Sequence, residues 1–276
     1  MVSVIIPTFN ESRIIARCLQ SLQSQSVKDL EIIVVDDGST DSTLSTIRNL
    51  KFEIRNIILL KQKHQGPGVA RNLAAKKAWG DILVFVDADM TFATDFVEKV
   101  VAPIKAGRAI GTDSQDGTLA NPENFWARCW NMGKFAAAGN YSADYLTEIT
   151  PNKRDHGGVF RAISKKEFIK AGGFDIDGDY TDDTSLSRKL KEKASVVRAR
   201  FYHANPDTLS EVWLRASWIG AGKNFTQAKY FNLIKFFPVL AVVKGIIIGW
   251  RFNNLSFLFF KIIYDTAVWL SIIKSL

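Results

Sequence analysis

Four nearly continuous apolar runs begin near Val2, Glu31, Asn56 and Ile82. A run that does not alternate is how a strand buried on both faces of a parallel sheet reads, and an interval of roughly 25 to 30 residues suits a βαβ unit. Between the runs the period becomes that of a helix. Ile14, Cys18 and Leu22 recur at i, i+4, i+8 beside Ile15 and Leu19, and Ala70, Ala74 and Ala78 make a slim face over a helix expected from about Gly68 to Trp79. The pattern predicts an α/β fold, a mainly parallel twisted sheet with helices on both faces.

Past residue 90 the pattern is less regular. Asn121-Pro122-Glu123 opens an expected helix running through Trp126 and Trp130 to about Ala138. Residues 140–156 read as a loop bordering a cleft, Gly157 to Ile163 as a strand, and Ser195 to Tyr202 as another. Ser164-Lys165-Lys166-Glu167 and Thr208-Leu209-Ser210-Glu211 read as capping boxes; the first opens a short helix stopping at Gly172-Gly173, the second a long one. Leu233–Trp250 and Leu255–Ile273 approach the roughly 20 residues of a spanning helix. Lys235, Lys244 and Pro238 interrupt the first, and Lys261 and Asp265 the second. Ions near the middle of a span are costly, so these C-terminal apolar helices are expected to lie in the membrane plane in preference to two true spans, with packing on the enzyme or in an oligomer as a third option. A chain ending near Lys229 is expected to stay soluble.

At 276 residues and 47% hydrophobic content, the chain can bury a large core, which excludes a disordered protein. Its net charge of +8 is unevenly placed: residues 1–185 carry 22 Lys and Arg against 24 Asp and Glu, and residues 186–276 carry 14 against 4. Basic charge among Trp, Phe and Ile suits an anionic membrane surface better than nucleic acid. Cys18 and Cys129 have neither a disulfide framework nor metal-ligand spacing. The start, Met1-Val2-Ser3-Val4-Ile5-Ile6, shows no secretory pattern, so the catalytic part is expected in the cytoplasm.

Chemistry gathers where strands should end. Asp87-Ala88-Asp89 follows the fourth apolar run, Pro7-Thr8-Phe9-Asn10-Glu11 the first, and Asp36-Asp37-Gly38-Ser39-Thr40-Asp41 the second. Open α/β sheets bind ligands outside the carboxyl ends of their strands. Two carboxylates one residue apart can share a hard divalent cation, or divide a cation and a ligand hydroxyl between them. Adjacent Asp36 and Asp37 repel unless a donor or cation sits between them, while Asp41 reads mainly as a helix cap. Arg71 is a fixed cation in a Gly-rich loop-to-helix stretch suited to a phosphate-bearing ligand. The acidic run from Asp175 to Asp183 is no calcium loop, since Tyr180 and Leu186 stand where Gly and Glu are needed.

PTFNE, VVDDGSTD, GPGVARN and FVDAD, in this order and at these intervals, resemble the inverting nucleotide-sugar glycosyltransferases of family 2. The likeness is close over residues 2–90 and looser to about Asn224. It implies a GT-A type fold, with a nucleotide-binding half over 1–90, an acceptor half over 91–230, and amphipathic or membrane-associating helices over 231–276. It also implies a donor pocket of Pro7, Thr8, Glu11, Asp36, Asp37, Arg71, Asp87, Ala88 and Asp89. In that pocket Asp37 lines the base and ribose, Arg71 touches the nucleotide, and Asp87 faces the ribose. Asp89, closing the D-x-D motif, holds Mn²⁺ or Mg²⁺ on the diphosphate.

Asp182-Asp183 stands where the family has Glu-Asp, so the general base is carried to Asp183 with Asp182 beside it. His203 is a further metal candidate. His156, Gly157, Gly158, Arg215, Trp218 and Lys223 are expected toward the acceptor or diphosphate, against the alternative of plain loop residues and solvated helix charges. EVWLRASWIGAGKN resembles a worn version of the Gln-x-x-Arg-Trp region of processive family members, and its missing Gln argues against a processive polymerase.

The resemblance thus implies a metal-dependent inverting glycosyltransferase, peripheral or monotopic at the cytoplasmic face of the cell membrane. UDP is the first choice of donor nucleotide and GDP the second; the acceptor is lipid-linked or a glycan, and the other partner is an anionic membrane surface, with no nucleic acid. A nucleotide-sugar binding module without transfer activity and a nucleic-acid-binding protein are the competing classes.

Overall fold

The structure is a computed structural model that describes residues 1–51, 56–114, 116–149, 158–176, 182–222 and 229–275. The four apolar runs become β1 (Val2–Thr8), β2 (Leu30–Asp36), β3 (Ile57–Lys61) and β4 (Ile82–Phe85), separated by α1 (Ile15–Gln23), α2 (Thr43–Lys51) and α3 (Pro67–Lys77). Then come β5 (Met90–Phe92), α4 (Phe96–Lys105), β6 (Gly111–Ser114), β7 (Gly117–Leu119) and α5 (Phe125–Ala137). They are followed by β8 (Ala162–Ser164), α6 (Lys165–Lys170), α7 (Asp182–Leu190), β9 (Ser195–Val197), β10 (Phe201–His203) and α8 (Leu209–Ala221). The tail forms α9 (Lys229–Lys235), α10 (Pro238–Arg251) and α11 (Phe257–Lys274).

Among the described residues, seven strands form the main sheet in the order β3-β2-β1-β4-β8-β6-β9. The first four in that order pair in parallel, and β8 runs antiparallel between β4 and β6. A second sheet has the order β5-β10-β7. The pleat sends alternate residues to opposite faces. On one face Ile5, Ile33, Val35, Leu83 and Phe85 share a buried cluster with Ala70, Ala74 and Ala78 of the slim helix. Thr8 lies opposite Asp36 in the β1–β2 register, so both loops leave the sheet side by side.

Several expected elements are corrected. The strand over Gly157–Ile163 shortens to Ala162–Ser164 among the described residues, the stretch in ladder register with β4 and β6. The strand over Ser195–Tyr202 is two strands in two sheets: β9 pairs with β6, and β10 belongs to the smaller sheet. Ser164 makes no side-chain cap; its N–H is spent on Ile110 O at 2.9 Å. α5 is capped by Asn124, which accepts from Ala127 N, and not from the Asn121 end. At α8 Thr208 does accept from Glu211 N at 3.2 Å, while Glu211 reaches back to Asp207 N.

The chain forms two compact units, Met1–Gly117 with Lys153–Tyr202, and Thr118–Asn152 with His203–Leu276. These are drawn differently from a division at 230. In the second unit Phe252, Phe257 and Phe260 of the tail share a core with Cys129, Met132 and Phe135 of α5 and Val212 of α8. A chain ending near Lys229 would lack Phe252, Phe257 and Phe260, three of the eight buried residues of that core. The apolar segment over Leu233–Trp250 is broken at Phe236-Phe237, ahead of Pro238, as the restriction on residues preceding proline favours. No described helix is long and apolar enough to cross a membrane.

Candidate active site

The two loops that follow β1 and β2 hold each other. Asn10, at φ 56°, donates its N–H to Ser39 Oγ at 3.0 Å and accepts from Thr40 N at 2.9 Å and Asp41 N at 3.3 Å. Asp41 accepts from Thr43 N at 2.9 Å and Ser12 N at 3.3 Å, so it is the cap the sequence suggests and also a tie between the loops. Burial works to raise its pKa, but the hydrogen bonds from Thr43 and Ser12 outweigh this and hold it below the usual carboxylate range. Pro7 and Thr8 end β1, and Thr8 Oγ1 is buried without a hydrogen-bond partner. Glu11 N donates to Thr43 Oγ1 at 2.8 Å.

Asp36 accepts from Ser39 N at 3.3 Å. Asp37 is the more heavily used of the pair. Its Oδ1 accepts from Gln62 Nε2 at 2.7 Å and Gln65 N at 2.9 Å, its Oδ2 accepts from Gly66 N at 2.9 Å, and His64 Nδ1 stands 2.9 Å from Oδ2. These donors resolve the repulsion expected of adjacent carboxylates. Any base or ribose contact of Asp37 is thus shared with an anchoring role for the loop 62–66. Gly38, at φ 81°, lets that loop come close: a Cβ there would lie 3.0 Å from His64 N. His64 in turn stacks on Phe9, ring centroids 4.1 Å apart. His64 escaped the sequence reading, although it sits in the loop after the third strand, at the same sheet edge.

Asp87 is held from two sides. Arg71 Nη2 donates to Oδ1 at 2.8 Å, Arg161 Nη1 lies 3.5 Å from Oδ2, and each guanidinium stands 5.5 Å from an aromatic centroid, Phe174 and Phe201 respectively. Arg71 is buried and so is not a surface helix residue. No signal near Asp87 in the chain points to Arg161, because the two meet through the pairing of β8 with β4.

Ala88 and Asp89 are buried as well, Asp89 at 9% exposure. The thiol of Cys18, 3.7 Å from Asp87 O, is pushed far up by burial and then by the negative charges of Asp89, Asp87 and Glu11. Cys129 is pushed up to about 12 by burial, so neither thiol serves as a nucleophile near neutral pH.

The described residues contain no group of three or more His, Cys, Asp or Glu placed as metal ligands. A small divalent cation of the Mg²⁺ kind is commonly bound by one or two carboxylates plus substrate phosphates and water. Asp89 is buried near the Cys18 thiol, whose pKa its charge helps to raise. His203 ends β10 in the second unit, and its carbonyl accepts from Ala120 N at 2.9 Å.

Asp182 and Asp183 open α7. Their side chains lie outside the described residues, as do His156, Gly157 and Lys223. The surroundings of α7 are well defined. Asn72 beside Arg71 clasps Phe174, donating to its O and accepting from its N, both at 2.9 Å. The next residue, Asp175, pairs with Arg188 and with Lys189 at 2.7 Å on α7. The arginine helix and the helix with the expected base are thus joined through Phe174-Asp175, by two hydrogen bonds on one side and two ion pairs on the other. Gly158 is irregular and half-buried, while Arg215 and Trp218 lie on α8 in the second unit, half-buried and exposed respectively.

The profile of Glycosyl transferase family 2 matches residues 3–168. The GalNAc(5)-diNAcBac-PP-undecaprenol beta-1,3-glucosyltransferase of Campylobacter jejuni is 43% identical over 89 residues, 32% of this chain and 29% of its own length. The chain spans less than half the length of the curated relatives it matches. Among solved structures, S. aureus TarS 1–349 in complex with UDP-GlcNAc has a TM-score of 0.55 at 20% identity, covering 80% of this chain and 67% of its own. The mannosyltransferase PcManGT of Pyrobaculum calidifontis, in complex with GDP-Man and Mn²⁺, has 0.52 at 21%, covering 93% and 73%.

Proposed function

The chain belongs to glycosyl transferase family 2 and has a GT-A type fold, and from that premise we propose that it is a glycosyltransferase that moves a sugar, with inversion, from a nucleotide-diphosphate donor to an acceptor hydroxyl. The supporting observation is the convergence of Asp36, Asp37, Asp87 and Asp89, with Arg71 and Arg161, at the carboxyl ends of β1, β2 and β4. Parallel strands deliver ligand-binding loops to one edge, and this edge carries the acids and the cations a sugar nucleotide needs.

In this reading Asp37 and the Phe9–His64 stack border the base, Asp87 meets the ribose, and Arg71 brings positive charge toward the diphosphate. A divalent cation, Mn²⁺ or Mg²⁺, supplies Lewis-acid stabilisation of the leaving diphosphate when bound, with Asp89 as its protein ligand. Asp183 accepts the proton of the acceptor hydroxyl as that oxygen attacks the anomeric carbon. The bond to the diphosphate oxygen breaks on the opposite face, its electron pair leaving with the nucleotide, and the configuration inverts.

UDP is the first donor nucleotide to test and GDP the second, in keeping with the UDP-GlcNAc and GDP-Man bound by the two structural neighbours. A lipid-linked acceptor at the cytoplasmic face of the membrane is in keeping with the undecaprenol-linked substrate in the name of the Campylobacter relative.

Nucleotide release from UDP-, GDP- and dTDP-sugars, with Mn²⁺ and with or without membrane lipid, tests the proposal. One donor is expected to turn over in a metal-dependent way. Donor binding without turnover under every acceptor condition would leave a binding module, and preference for oligonucleotides would overturn the reading altogether.

A further inference from the structure

α10 is built inside out. Its small residues, Ala241, Gly245 and Gly249 at i, i+4, i+8, are the buried ones, while Val239, Val243, Ile246, Ile247 and Trp250 are 48–77% exposed. The inward glycines are needed for close packing. A Cβ at Gly245 would lie 2.8 Å from Leu258, and one at Gly249 would lie 2.9 Å from Asn254 O. In water the hydrophobic effect sends bulky aliphatic side chains inward, so this arrangement is the reverse of a soluble amphipathic helix. Small residues between helices with bulky apolar ones outside is the packing used where the outer medium is itself apolar.

The ions of the same segment are handled in a matching way. Lys244 and Lys261 turn inward to the fully buried Asp265, at 3.6 and 2.6 Å, and the ammonium groups of Lys235, Lys244 and Lys261 gather 5.3 to 5.8 Å from the centroid of the Phe236 ring. Charges in helices that meet lipid face the interior and pair with one another. Phe231 and Ile234 on α9 are exposed as well, each at 68%. Residues 229–275 contain six Lys and Arg and the single acid Asp265.

We propose that the outward face of α10 is a lipid-contacting surface that seats the protein on an anionic phospholipid bilayer. This deepens the membrane placement proposed above and rests on it. At 14 residues α10 is about 21 Å long, short of the roughly 30 Å hydrocarbon core, so it lies in the interface and does not cross. Apolar burial supplies adhesion that salt does not screen, and the excess of Lys and Arg supplies a part that salt does.

The test is flotation of the full chain on phosphatidylglycerol/phosphatidylcholine vesicles and on phosphatidylcholine alone. The chain is expected to float with the anionic vesicles, less completely at about 1 M salt, where the Debye length is about 3 Å. The double variant Ile246→Glu/Ile247→Glu is expected to lose at least about tenfold in partitioning while binding the donor nucleotide as the parent does. Quenching of Trp250 by brominated lipid, taken as the difference between the parent and Trp250→Phe, reads the same face without a charge substitution. A parent that stays in the aqueous fraction with unquenched Trp250 overturns the proposal. So does a parent whose concentration-dependent dimer, seen by sedimentation velocity without vesicles, is dissolved by the double variant, since the face then meets a second copy. Absence of donor binding in parent and variant alike counts against the transferase reading and leaves the lipid face standing.

Discussion

Arg71 donates to Asp87 across 2.8 Å, from the first turns of α3 to the end of β4. Arg161 holds the second carboxylate oxygen less closely, so Asp87 keeps one cation when Arg71 is removed. Arg71→Met is expected to fold and to weaken nucleoside-diphosphate binding by about 10- to 100-fold, equivalent to roughly 1.4 to 2.7 kcal/mol. Titration calorimetry measures it. Unchanged affinity would make Arg71 a structural partner of Asp87 only.

Asp89→Asn keeps the shape of a buried side chain and removes its anionic ligand atom. Metal-dependent donor binding is expected to disappear while thermal stability stays close to that of the parent. Comparing donor titrations with and without Mn²⁺ on both proteins is decisive: if the metal effect survives, another residue holds the cation.

Asp183→Asn is expected to lower transfer by roughly 10²- to 10⁴-fold with donor affinity preserved, since an amide cannot accept the proton. The same substitution at Asp182 supplies the control. If Asp182→Asn shows the larger loss, the base is the first acid of α7 and not the second.

Asp175 is tied to Lys189, and its pKa is lowered by that hydrogen bond and by the charges of Lys189 and Arg188. A folded-state pKa below the unfolded 3.8 adds stability that is fully present above about pH 4 and lost as pH falls through the folded value. The anchoring of α7 is therefore expected to be insensitive to pH between about 5 and 8 and to loosen below about 4. Melting curves of the parent and Asp175→Asn should converge as the pH is lowered; a constant gap down to pH 3 would argue against the tether.

Gly220 of α8 faces α11 so closely that a Cβ would lie 2.5 Å from Val268 O. Gly220→Ala is expected to destabilise the second unit by about 1 to 3 kcal/mol, the usual cost of overpacking against backbone. Thermal denaturation would show it, and a neutral result would mean that α8 and α11 are free to slide apart.

The β-α alternation of the first 90 residues was legible because strand and helix periods are local properties, and so were the acids at the strand ends, since a strand's carboxyl edge is set by where its apolar run stops. The apolar and basic composition of the tail was legible for the same reason. Tertiary structure alone decided the rest. Arg161 reaches Asp87 only because β8 inserts antiparallel beside β4, and Asp37 turns out to be the anchor of a loop 25 to 29 residues further on. Lys235, Lys244, Lys261 and Asp265 read along the chain as four separate interruptions of apolar segments, yet in space they surround one aromatic ring and one another. Sequence specifies which groups must be buried or paired; which partner satisfies each of them depends on the packing of distant elements, and that is a property of the folded chain.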